Sequence, residues 1–146
     1  MTALLEEVAK VRHAGGKCLV FSQNWQLLEI AELLILQEHG DEACINLKED
    51  VRGEFDLESD FRLHEHRFVM LLTAGAFAMG LTLTMADTCI IVEPQLDVAT
   101  EIQIEHRIWR PGQMADRVRI VKLYMAGTIE EQLVEEHKEH KSHAEA

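Results

Sequence analysis

Two unbroken apolar runs constrain this chain more than anything else in it. One is Phe68-Val69-Met70-Leu71-Leu72, entered from Arg67, and the other is Cys89-Ile90-Ile91-Val92, entered from Thr88 and closed by Glu93-Pro94. A strand without apolar/polar alternation has no face to give to water, so it must be covered on both sides. Lys17-Cys18-Leu19-Val20-Phe21 is a third run of this kind, and Ala43-Cys44-Ile45-Asn46-Leu47 a shorter fourth. Arg117-Val118-Arg119-Ile120-Val121-Lys122-Leu123-Tyr124 differs, alternating basic and apolar residues as a half-exposed edge strand does.

Helical patterns fall between these strands. Leu4, Leu5, Val8 and Val11 are spaced for a helix over 3–14, which Gly15-Gly16 ends. Ser22 or Asn24 caps a long helix from Trp25 to His39, and Gly40 stops it. A short helix over 57–64 and a helical turn over 76–79 are weaker features. A further helix runs from Val98 to Trp109, where Pro111-Gly112 breaks it. Thr128 with Glu131 makes a capping box for a last helix. Alternating strands and helices predict an α/β domain, its mostly parallel sheet layered between helices. Ligands in such folds sit at the carboxyl ends of strands, here Ser22-Gln23, Thr73-Ala74-Gly75 and Glu93-Pro94.

The chain of 146 residues, 47% hydrophobic, is sized for one domain with a real core. No apolar run approaches the roughly 20 residues of a membrane span, and Met1-Thr2-Ala3-Leu4-Leu5-Glu6-Glu7 is no secretory signal. Cys18, Cys44 and Cys89 lie scattered in strand patterns, as buried reduced thiols of a cytosolic or nuclear protein, with no CxxC pair for zinc. A formal net charge of −12 argues against a free-standing nucleic-acid binder. The segment from Arg107 to Lys122 is locally basic, with Arg107, Arg110, Arg117, Arg119 and Lys122 against Asp116, so an electropositive edge on an acidic body is expected there.

Candidate chemistry concentrates in Glu101-Ile102-Gln103-Ile104-Glu105-His106-Arg107-Ile108-Trp109-Arg110-Pro111-Gly112-Gln113. Arginines three apart lie one turn apart on a helix, and two guanidinium forks on one face can clamp phosphate oxygens. The bland alternative is a pair of surface arginines bridged to the many acids. Gly75 to Thr82 nearly fits GxxxxGK[ST], but Leu81 stands where a P-loop needs lysine to hold the β- and γ-phosphates. Glu93 at a strand end lacks a P-loop partner and reads as ordering its loop. His137, His140 and His143 drift around a helix and read as a solvated tail rather than a metal set. No nucleophile–base set and no complete active site is present.

Taken in order, four stretches resemble the second RecA-like lobe of Swi/Snf-type helicase-like ATPases. Lys17 to Gln23 is similar to the strand motif that opens that lobe. Leu71 to Thr84 is similar to its leucine-leucine-serine-threonine-lysine-alanine-glycine-glycine-leucine-glycine stretch with a leucine-threonine ending, and Ala86-Asp87-Thr88 also fits. Gln103, Arg107, Arg110, Gly112 and Gln113 match its glutamine–arginine–arginine–glycine–glutamine motif at every spacing, with Glu101 at the preceding acidic position. Val121 to Tyr124 and Gly127 to Glu131 resemble the elements that close the lobe. Gly75 replaces the family's lysine, Phe77-Ala78 its two glycines, Thr82 its asparagine, and Leu96 and Val98 a tryptophan and a proline. The leucine-aspartate-glycine segment is not evident around Leu47-Lys48-Glu49.

The resemblance implies a three-layer RecA-like lobe over residues 1–136 and a charged helical tail over 137–146. ATP and Mg2+ would be held mainly by an N-terminal RecA-like lobe, supplied in cis or in trans. Arg107 and Arg110 would neutralise charge developing on the γ-phosphate, Arg110 as the finger. Gly80, Thr82, Gln103 and Gln113 would complete the nucleotide side. Ser22, Gln23 and Thr73 would contact duplex DNA through backbone phosphates. It also implies a chromatin remodeller in the nucleus that cannot hydrolyse ATP as a lone lobe. The alternative is a degenerate lobe kept as a non-catalytic protein-interaction module.

Overall fold

The computed structural model describes residues 2–47, 66–73, 86–93, 98–108 and 118–124, with positions 130, 132, 134–136 and 138. Strands β1 (Cys18–Phe21), β2 (Cys44–Leu47), β3 (Val69–Leu72), β4 (Thr88–Ile91) and β5 (Arg119–Lys122) form one sheet in the order β2-β3-β1-β4-β5. Every pairing is parallel, with Cys18 level with Val69 and Thr88, and Phe21 level with Leu72 and Ile91. The three apolar runs are the three inner strands, and all twelve of their residues are buried. At the edge, β5 leaves Arg119 exposed and the rest half-buried, as its alternating pattern predicts.

Helices cover both faces. Helix α1 (Thr2–Ala14) sends Leu4, Val8 and Val11, and helix α2 (Trp25–His39) sends Leu28, Ala31 and Ile35, onto Cys18, Val20, Val69, Leu71 and Ile90. On the opposite face Ile104 of helix α3 (Val98–Ile108) packs with Leu19, Phe21, Met70, Leu72, Cys89 and Ile91. The even and odd residues of each inner strand thus feed two separate apolar layers, which is why the runs show no alternation. The result is the three-layer α/β architecture that the sequence predicts.

The turns follow from local chemistry. Gly15, with φ of 77°, ends α1 in the left-handed region, where a side chain is disfavoured. Asn24 is the cap of α2, its Oδ1 accepting from Gln26 N–H at 3.0 Å, and Gly40 closes the helix by donating to Leu36 O at 2.9 Å. At the amino edge Asp87 ties three strands. Its N–H donates to Lys17 O at 3.1 Å, its carbonyl accepts from Arg119 N–H at 2.9 Å, and its Oδ1 accepts from the Thr88 hydroxyl at 3.0 Å.

Two basic side chains of the segment from Arg107 to Lys122 are met by acids from across the fold. Arg119 pairs with Glu7 of α1, and Lys122 with Glu101 and Glu105 of α3. No helix among the described residues is long and apolar enough to cross a membrane. The expected helical features at 57–64 and 76–79, the Thr128–Glu131 capping box and His137, His140 and His143 lie outside the described residues.

Candidate functional site

The carboxyl edge of the sheet gathers three candidate residues. Ser22 N–H donates to Leu72 O at 3.2 Å, and Val92 N–H donates to Phe21 O at 3.0 Å, so the ends of β3, β1 and β4 lie side by side. Ser22 and Thr73 are therefore neighbours across adjacent strand ends, and Gln23 leads into α2. The Ser22 side chain is fully buried. Its hydroxyl lies 2.8 Å from Glu93 Oε2 and 2.9 Å from Oε1, while Gln23 N–H donates to Oε1 at 2.6 Å. Asn24 O lies at 3.3 Å from the same hydroxyl. A hydroxyl has one proton, and the shorter distances to a carboxylate assign it to Glu93. Its oxygen in turn accepts from Asn24 N–H at 3.0 Å. Thr73 is 8% exposed, and its buried Oγ1 has no hydrogen-bond partner among the described residues.

The second candidate element is α3. Glu101 and Ile104 point into the core, with Glu105 half-buried beside them, and Gln103 and His106 are exposed. The spacing of 101, 104 and 105 makes the inner stripe, so the helix is fixed by one face and offers the other. Its inner stripe carries charge. Glu101, fully buried, lies 3.0 Å from the Lys122 ammonium on β5, and Glu105 lies 3.6 Å from it. This contact clamps the helix to the edge strand. Arg107 follows Gln103 by four positions, one turn on along α3.

Placement of the candidates is thus uneven. Ser22, Gln23 and Thr73 come together at one edge, and Gln103 and Arg107 share one helix. Gly80, Thr82, Arg110 and Gln113 lie outside the described residues, as does the whole P-loop-like stretch from Gly75 to Thr82. Sequence reasoning singled out Glu93 and its loop but missed its hydrogen bonds to Ser22 and Gln23. It missed Lys122 as the partner of Glu101 as well.

The thiols offer no nucleophile. Burial pushes the Cys18 thiol well up, with added repulsion from Cys89 and Asp87. Burial also raises Cys89 to about 12, helped by Glu105, and Cys44 to about 12, where Glu32 adds and Arg67 opposes. All three are free. Among the described residues no group of three or more His, Cys, Asp and Glu side chains could hold a metal ion.

Comparison with known proteins adds identity to this geometry. The family described as "Helicase conserved C-terminal domain" matches residues 1–112. Protein CHROMATIN REMODELING 8 of Arabidopsis thaliana is 32% identical over 131 residues, covering 89% of this chain and 11% of that protein. The human DNA excision repair protein ERCC-6-like is 33% identical over 136 residues, covering 91% of this chain and 11% of that protein. The DNA repair and recombination protein RAD26 of Saccharomyces cerevisiae is 35% identical over 124 residues, covering 82% and 11%. This chain thus spans about a tenth of the length of these relatives. In fold it is similar to the C-terminal part of the Fun30 ATPase domain, with a TM-score of 0.75, 23% identity, and coverage of 91% of this chain and 43% of that one. The chain belongs to the helicase conserved C-terminal domain family, as a Swi/Snf-type C-terminal lobe of RecA-like fold.

Proposed function

We propose that this chain is the second motor lobe of a nuclear Swi/Snf-type DNA-dependent ATPase, and that it completes an ATP site built mainly on an N-terminal RecA-like lobe. The observation that carries this reading is the motif Gln103, Arg107, Arg110, Gly112 and Gln113, which keeps the family spacing and begins on a helix whose opposite face is anchored by Glu101 and Ile104. The chemistry asked of this lobe is modest. When bound, ATP and Mg2+ supply the phosphoryl group and its counter-charge from the first lobe. Gln103 lies exposed on α3, in a position to meet a ligand held by another lobe. Arg107 and Arg110 would bring donors to the γ-phosphate on lobe closure. Fixed cations placed where charge develops are worth several kcal/mol of barrier. Gly80, Thr82 and Gln113 would complete the nucleotide side. Ser22, Gln23 and Thr73 would track the phosphate backbone of duplex DNA, and repeated closure would move the lobe along it.

A second reading draws on a different feature. On α2, Ile30 is 53% and Leu33 69% exposed, an apolar strip on an acidic body, as a non-catalytic protein-interaction module would carry. ATP turnover by the longest natural chain containing this segment, measured with and without duplex DNA, separates the two. DNA-stimulated turnover supports the motor lobe, and its absence supports the module.

A further inference from the structure

The helix that carries the start of the arginine motif stands on little apolar contact. Among the described side chains of α3, Ile104 is the one apolar residue that is buried. Apolar contact is non-directional, so a single anchor of this kind lets a helix turn about its axis and slide along it. Two inward-facing acids of the same helix meet one cation. The Lys122 ammonium lies 3.0 Å from a carboxylate oxygen of Glu101 and 3.6 Å from one of Glu105. The base of this contact is fixed, since Lys122 closes β5 level with Ile91, and Leu123 N–H donates to Ile91 O at 2.9 Å. Glu101 and Glu105 lie four apart, one turn apart on one stripe. A single ammonium between them therefore sets both the rotation and the axial register of α3.

Helix geometry carries that setting to the motif. A step of two residues turns about 200° around a helix, so Gln103 stands opposite the stripe of Glu101 and Glu105, and it is exposed. Position 107 follows one turn on, and the motif continues in sequence to Arg110 and Gln113. We propose that Lys122 is a positioning residue for the arginine motif. It fixes how α3 is turned on the sheet, and so where the side of the helix bearing positions 103 and 107 stands toward a nucleotide held by another lobe. The proposal rests on the motor-lobe reading and names what orients its arginine element. Lys122 acts through α3 and not on the nucleotide. An apolar contact in place of the ionic one keeps the helix on the sheet but no longer fixes its rotation, so the signature of the role is slower turnover at unchanged stability.

DNA-stimulated ATP turnover by the longest natural chain containing this segment, measured beside its melting temperature, tests this. Lys122→Met with Glu101→Leu exchanges the ionic contact for an apolar one of similar volume. It is expected to keep the melting temperature and to lower kcat about tenfold with KM for ATP unchanged, the pattern of a group displaced from the transition state. Lys122→Arg keeps a cation between the two acids and should stay within about twofold of the unaltered kcat. Glu7→Leu with Arg119→Met makes the same exchange on the same strand, toward α1 instead of α3, and should leave kcat unchanged. An unaltered kcat in the Lys122 pair overturns the proposal, as does an equal fall in the Arg119 pair or in Lys122→Arg. If the Lys122 pair melts low, Glu105→Gln decides, with kcat expected about threefold lower and an unaltered kcat overturning the proposal. Turnover that survives Arg110→Ala overturns the motor-lobe reading itself. Turnover abolished by Arg110→Ala but intact in the Lys122 pair overturns this proposal alone.

Discussion

Charged side chains in this lobe act by what they leave behind when removed. Lys122 is the clearest case, since its ammonium lies 3.0 Å from a Glu101 carboxylate with no exposed surface. A buried carboxylate that loses its cationic partner keeps its desolvation cost. Lys122→Ala should therefore lower unfolding stability by about 3 kcal/mol in urea denaturation. Lys122→Met combined with Glu101→Leu should recover most of the loss, because it removes both charges and keeps volume. A loss below about 1 kcal/mol in the single variant would mean that the pair contributes no more than a surface ion pair. Neither this contact nor the one between Ser22 and Glu93 was legible in the sequence. The latter joins residues 71 apart, and a side-chain contact between distant elements leaves no periodicity to read. The arginine motif was legible because its residues lie close together in sequence, beginning on α3.

Elements, by contrast, announce themselves locally. The apolar runs of β1, β3 and β4, the Asn24 cap and the glycine stops at Gly15 and Gly40 all appear where the residue pattern places them. The order of strands was not legible, because parallel neighbours are never consecutive through a hairpin and β1 enters the centre of the sheet only by crossover. The turn before β1 carries its own prediction. A Cβ on Gly16 would lie 2.6 Å from Asp87 Oδ2, and Asp87 holds the starts of β1, β4 and β5 together. Gly16→Ala should displace that carboxylate and lower the melting temperature, by about 1 to 3 kcal/mol in stability. Gly16→Ala combined with Asp87→Ala should show a smaller further loss than the sum of the two singles. Strict additivity would show that the two sites do not meet.

At the scale of the whole molecule, an acidic α/β body carries the start of the arginine motif on α3 and sets the ends of β1, β3 and β4 side by side along its carboxyl edge. Its net charge of −12 is only locally relieved, because Arg119 and Lys122 are met by Glu7, Glu101 and Glu105. The thiols make the core sensitive to alkali. Cys89 is raised from 9.0 to about 12 by burial, so the unfolded chain loses that proton first. Stability from this group is complete below about pH 9 and falls as pH rises toward 12, by about 1.4 kcal/mol per pH unit. Urea denaturation between pH 8 and 10, buffers chosen by roughly one-unit steps, should show a shallower fall for Cys89→Ala than for the unaltered chain. Equal slopes would place that thiol in water. Function lives on the same scale, since the role proposed for Arg110, toward a nucleotide held by another lobe, can be judged only in the two-lobed protein. The decisive measurement is DNA-stimulated ATP turnover by that protein carrying Arg110→Ala, alongside its melting temperature. Loss of turnover with an unchanged melting temperature is the predicted result, and retained turnover would contradict the account.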